Sequence, residues 1–215
     1  MTDIGVLQFV HVMGLVYWLG ADLGVFYSSY YVADDQLSPE ARLTVAKILF
    51  WLDQAPRIAM PIMLGSGFHL AWRFGTLPLP EISVYVSWAV VGVWLALVFL
   101  LHARGPSALL SRIDFGLRLL IVVLTAGIAS WALATNALVY WVAWKLLVFA
   151  GLVGCGLMIR IRLKPFAAAF AALARGTPGS GDNQTIREVF ASTRPFVVAI
   201  WIGLIVNTLL GLHLL

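Results

Sequence analysis

The sequence predicts an all-α integral membrane protein: one transmembrane domain of six helices filling residues 1–215. Composition is the first reason, since 61% of the residues are hydrophobic and 11% charged, with a mean hydropathy of +0.94, well beyond an ordinary soluble domain. Second, apolar runs of about twenty residues, the length that crosses the hydrocarbon core at 1.5 Å per residue, recur along the chain. Third, basic residues concentrate in alternate connections between those runs, as topology requires. The formal charge of +4 therefore carries no nucleic-acid signal, because its cations are divided among loops rather than gathered on a soluble face.

The expected spans are about 4–31, 45–72, 82–103, 114–135, 137–161 and 187–214. The first is too long and lacks a basic flank for a cleavable signal, and it carries Asp22, so it is expected to be retained. In the connection at 33–44, which holds Asp34, Asp35, Glu40 and Arg42, Ser38-Pro39-Glu40 reads as a capped helix start leading into span two. Within span two, Pro61 removes the amide that would bond the Arg57 carbonyl, so a kink is expected there. Spans four and five are separated only by a turn around Thr135 and Asn136 and should be antiparallel neighbours. Lys164 to Arg175, Ala- and Phe-rich with basic ends, reads as a helix extension or interfacial helix. Arg175 to Gln184 reads as a mobile loop, after which Arg194-Pro195 marks entry into the last apolar run.

Arg42 and Lys47, then Arg104 and Arg112, then Arg160, Arg162, Lys164, Arg175 and Arg187 follow spans one, three and five, whereas Arg73 stands nearly alone on the other side. The positive-inside rule then puts both termini, including Leu215, on the exterior or periplasmic side of a bacterial inner (plasma) membrane. Cys155 is the only cysteine, which excludes an internal disulfide or a thiolate cluster. Nucleotide-binding and common hydrolase motifs are absent.

Threading the spans through the bilayer brings His11, His69 and His213 to the outer face and His102 to the opposite one. His11 and His69 are the candidate metal ligands, since imidazoles from different helices at one depth suit a haem iron. Arg73, one turn beyond His69, suits a propionate, and Trp18 and Trp141 lie deep enough to face a flat cofactor. Most of the other tryptophans read as interface anchors, and His102 and His213 as ordinary span-end histidines. Lys145 sits about 12 Å inside its helix at 1.5 Å per residue, where an ammonium needs a partner. The acids on that side are chiefly Asp3 and Glu81, which leaves Lys145 as a metal ligand or a cation facing substrate.

On the opposite side, Asp53–Arg57 and Asp114–Arg118 are acid-to-arginine pairs at i,i+4, a spacing that favours ion pairing on a helix and fixes register. Asp22, Arg57 and Arg194 suggest a cavity that binds an anion or admits protons, which makes Arg57, with Lys145, the candidate for a catalytic role. Met60 and Met63 offer soft sulfur for copper, although paired methionines in an apolar helix more often just pack.

Four blocks carry a resemblance: His11-Val-Met-Gly14-Leu-Val-Tyr-Trp18, Arg57-Ile-Ala-Met60-Pro61 with Gly65 and Gly67 behind it, Trp141-Val-Ala-Trp-Lys145, and Arg187-Glu-Val-Phe followed by Arg194-Pro195. In order and spacing they resemble the HemJ-type protoporphyrinogen oxidase family and the related CopD-like membrane domains. The resemblance implies b-type haem held by His11, with Lys145 nearby, and oxidation of a tetrapyrrole or quinol at the membrane. Spans three and four read as an insertion, and Ser192-Thr193-Arg194-Pro195 stands where the family has an acidic-Pro pattern. The alternatives are a CopD-like copper transporter using His11, Met60, Met63 and His69, and a non-catalytic membrane subunit that docks a redox partner protein, alone or as an oligomer.

Overall fold

The computed structural model describes residues 2–105 and 107–214, with side chains from residue 4 onward; Leu215 and the side chain of Asp3 lie outside the described residues. The elements are α1 (Thr2–Ala33), α2 (Pro39–Leu52), α3 (Gln54–Arg73), α4 (Ile82–Arg104), α5 (Ala108–Thr135), α6 (Tyr140–Arg162), α7 (Phe166–Ala174) and α8 (Ser180–Gly211). Five of them, α1, α4, α5, α6 and α8, are long and apolar enough to cross a membrane. Large apolar side chains such as Phe9, Val86, Val123 and Ile202 point outward from them, as lipid contact allows.

The count is five where six were expected, and the difference lies in the second span. Residues 45–72 form two helices that meet at Asp53, and neither piece is long and apolar enough to cross. Pro56 explains the break: it sits in the first turn of α3, where a missing amide is harmless, and its ring opposes the carbonyl at i−4 in a continuous helix. The expected kink at Arg57 is thus displaced to Asp53, and α3 continues as helix through Pro61. Gln54, Arg57, His69 and Arg73 dilute the apolar character of α3.

Together α2 and α3 still lie antiparallel to α1. Close approaches of Gly14 to Met63, Gly24 to Leu52 and Gly67 to His11 give the register. Across the next seam, Gly65 meets Val91 and Trp88, which runs α4 back along α3. Asn136, left-handed at φ 55°, ends α5 and returns the chain as α6, the antiparallel neighbour that the short connection predicts. Gly203 packs on Leu152, which sets α8 antiparallel to α6. The start of α1 and the end of α8 therefore share one end of the bundle, called here the His11 end; the other is the basic end.

Ser38 caps α2 by accepting from the Ala41 amide at 3.3 Å, with Pro39 in the first turn, as the sequence predicts. Where a helix extension or an interfacial helix is expected, the chain forms a separate helix, α7. The expected loop is shorter than its composition suggests: α8 begins at Ser180, where Asp182 accepts from the Gly179 amide at 3.0 Å, and Pro195 lies inside that helix. Mid-bundle, Trp18, Met60, Trp94, Phe149 and Leu204 form one apolar core. A second, of Val32, Ala46, Phe166, Leu173, Ile186 and Phe190, seals the basic end around α7.

Candidate functional site

His11 is half-buried against α3 at the end where α1 begins, and its surroundings are set by three small residues in a row, Gly65-Ser66-Gly67. Ser66 is fully buried. Its hydroxyl donates to the Ile62 carbonyl one turn back at 2.7 Å, which commits its single proton. The oxygen 2.9 Å from His11 Nδ1 therefore acts as acceptor, and Nδ1 carries the ring proton. That fixes the tautomer and leaves the Nε2 lone pair without a hydrogen-bond partner among the described residues. Gly67 lies against the same ring, close enough that a Cβ there would stand 3.1 Å from Cε1.

Lys145 of α6 is near enough for its charge to act on His11. Its Nζ packs over Gly211 of α8, where a Cβ would come within 2.6 Å, and lies 5.8 Å from the Trp141 ring centroid. Asn207 donates to the Lys145 carbonyl at 3.4 Å and so ties α8 to α6 at this level. Among the described residues Lys145 forms no ion pair. Glu81, one of the acids expected on this side, accepts from Tyr85 at 3.0 Å instead.

The other candidates of this layer are dispersed. His69 faces away from His11: with Gly65 it lies on the side of α3 turned to α4, where its Nδ1 accepts from Trp88 at 3.3 Å. No contact between the two imidazoles occurs among the described residues. Arg73 is exposed at the end of α3, near enough for its charge to act on His69. Trp18 is buried in the mid-bundle core, two turns deeper than His11. His213 packs edge-on against Trp141 at 5.2 Å, and His102 is exposed at the basic end.

Asp114 organises the charges on the opposite side. It accepts from Arg118 Nε at 3.1 and 3.0 Å, the expected i,i+4 pair, and also from Arg160 of α6, whose second nitrogen donates to the Ser111 carbonyl at 3.2 Å. Arg118 is also sandwiched by Trp94, 5.4 Å from the ring centroid, and by the Met60 sulfur at 3.7 Å. Arg57 pairs with Asp53 across the α2–α3 break. Among the described residues Asp22 is buried with one carboxyl oxygen unpartnered and forms no ion pair, and Arg194 lies over Tyr30 two turns farther along α1. Of the three residues expected to share a cavity, Asp22 lies near enough to the Asp53–Arg57 pair for the Asp53 charge to act on it, whereas Arg194 is stacked on Tyr30.

Met60 faces Arg118 and Met63 fills the space beside Gly14, so the two thioethers have different neighbours. Among the described residues no group of three or more His, Cys, Asp or Glu side chains is placed to hold a metal ion. The residues sequence reasoning missed are Ser66, Asn207 and Gly211 around His11 and Lys145, and Arg160 at Asp114. The run of small residues at 65–67 is the one signal that pointed there, since small side chains mark close helix approach in membranes. No family model matches the chain, and neither a curated protein nor a solved structure does.

Proposed function

We propose that this is a haem b-binding membrane redox protein in which His11 Nε2 is an iron ligand. The observation that carries the reading is the Ser66 relay: a buried hydroxyl holds Nδ1–H and leaves Nε2 as a free imidazole donor inside an apolar bundle, the arrangement in which a histidine binds metal. Lys145 supports it as a cation without an ion pair among the described residues, whose charge reaches that imidazole and which would serve as a second ligand or hold a propionate. His69, facing Trp88, is not the partner in this reading.

When bound, the haem supplies reversible one-electron transfer. The chain's own part is to hold the imidazole in one tautomer through Ser66, to keep its ring against Gly67, and to exclude water with the Trp141 and α8 side chains. An apolar groove of about 340 Å³ between α1 and α3, lined by Phe9, Met13, Gly14, Tyr17, Ile58 and Ile62, opens on the same pair of helices. It suits an apolar electron donor such as a quinol or a tetrapyrrole. The basic end faces the cytoplasm of a plasma membrane in this reading, which leaves the His11 end exterior.

A reduced-minus-oxidised spectrum of the purified protein is expected to show shifts in the Soret and α bands. It should be lost in His11→Ala and kept in His102→Ala. Absence of both bands in the wild-type protein sinks the proposal, and copper analysis of the same sample tests the alternative metal.

A further inference from the structure

At the basic end, the last turns of α1 and the first half of α8 enclose a pocket of about 290 Å³ lined by Tyr30, Ala33, Asp34, Arg187, Ala191 and Arg194. We infer that it binds the phosphate of an anionic glycerophospholipid, with Arg194 as the anchoring group and the acyl chains lying along α8. This inference does not depend on the haem reading and concerns the opposite end of the molecule.

Charge accounting singles out Arg194. Arg187 is paired with Asp35 at 2.9 Å, and Asp34 accepts from the Gln36 amide at 3.0 Å. Buried Arg42 donates to the Val32 carbonyl and to Asn183, and Asp34, Asp35 and Arg187 are the charges that act on it. Among the described residues Arg187 is the one of these three guanidiniums in an ion pair; Arg42 and Arg194 each keep a buried nitrogen without a partner, and of those two only Arg194 lines the pocket. Its guanidinium lies flat on Tyr30, 3.5 Å from the ring centroid. Stacking occupies the face of the group and leaves its edge N–H donors for an acceptor in the guanidinium plane, the geometry in which arginine binds phosphate.

Two features place a lipid there. Tyr27, Tyr30 and Tyr31 are exposed at this level of α1, with 65%, 47% and 57% of their surface free, and amphipathic rings collect at headgroup depth. From Arg194, exposed Val198, Ile202 and Ile205 continue along α8 at helical spacing toward the bundle centre, a stripe that matches an acyl chain. A free anion would use the pocket and ignore the stripe.

The test is native mass spectrometry of the full chain released from nanodiscs of equal phosphatidylglycerol and phosphatidylcholine. Wild-type protein should retain phosphatidylglycerol preferentially. Arg194→Gln should lower that retention about tenfold or more, with Arg194→Lys between the two because it lacks the planar fork. Arg104→Gln, an exposed cation at the same end but outside the pocket, should leave retention unchanged. Equal retention of the two lipids by the wild type, which needs no variant to fold, overturns the inference. So does wild-type retention in Arg194→Gln, or an equal loss in Arg104→Gln. Millimolar inorganic phosphate should not displace the lipid; displacement by phosphate alone means a free-anion site and overturns the lipid assignment.

Discussion

Ser66 decides what His11 does, because one hydroxyl proton, spent on the Ile62 carbonyl, dictates which imidazole nitrogen is protonated. Ser66→Ala should therefore weaken metal-ligand binding at His11 about 10- to 100-fold, the usual cost of losing such an orienting partner, read as haem retained in a titration. The glycines around it differ in what they tolerate. At Gly65 a Cβ would meet Val91 at 2.7 Å, so Gly65→Ala must move α4 from α3 and should cost about 1–3 kcal/mol in unfolding measured in detergent. At Gly211 the obstacle is the mobile end of Lys145, so Gly211→Ala should displace the ammonium while leaving stability nearly unchanged. Sequence reasoning identified His11 and Lys145 because ionisable groups in apolar runs are conspicuous. It missed Ser66 because the two partners are 55 positions apart and a helical serine normally bonds its own backbone, as this one also does.

Among the elements, α5 and α6 are joined most strongly by chemistry that a single helix cannot display. The i,i+4 spacing of Asp114 and Arg118 was legible in the sequence, whereas Arg160, 46 positions away, looked like one more cytoplasmic cation until folding put it on the same carboxylate. Asp114→Ala leaves both guanidiniums uncompensated and should destabilise the protein by about 3–5 kcal/mol, measured by denaturant titration in micelles. The combined Asp114→Leu, Arg118→Met variant should recover part of that loss, since one of the two orphaned charges is removed. The second helix shows the opposite lesson. Pro61 reads as the helix breaker, yet the break comes at Asp53, just ahead of Pro56, because a proline in the first turn of α3 ends the preceding helix whereas one farther in is accommodated by packing. Capping, by contrast, is local, and Ser38-Pro39 was readable without any tertiary information.

For the whole molecule, hydropathy was enough to read a multi-pass helical membrane protein, since it belongs to segments and survives any detail of packing. The span count was less legible: a helix enclosed between α1 and α4 can carry Gln54, Arg57 and His69, so α3 departs from the apolar pattern that counting relies on. Orientation is testable in a Cys155→Ser background. Thr177→Cys, at the basic end, should be protected from an impermeant maleimide added outside intact cells, while Leu79→Cys, at the His11 end, should be labelled; the reverse pattern inverts the proposed topology. The shared carboxylate of α5 and α6 also bears on biosynthesis. Arg160 leaves the insertion machinery after Asp114 and, until it reaches that acid, is a charge with no counter-ion on its own helix. The tight turn at Asn136 brings the two helices together at once, so they should partition into the bilayer as a hairpin, with α5 delayed at the lateral exit until α6 arrives.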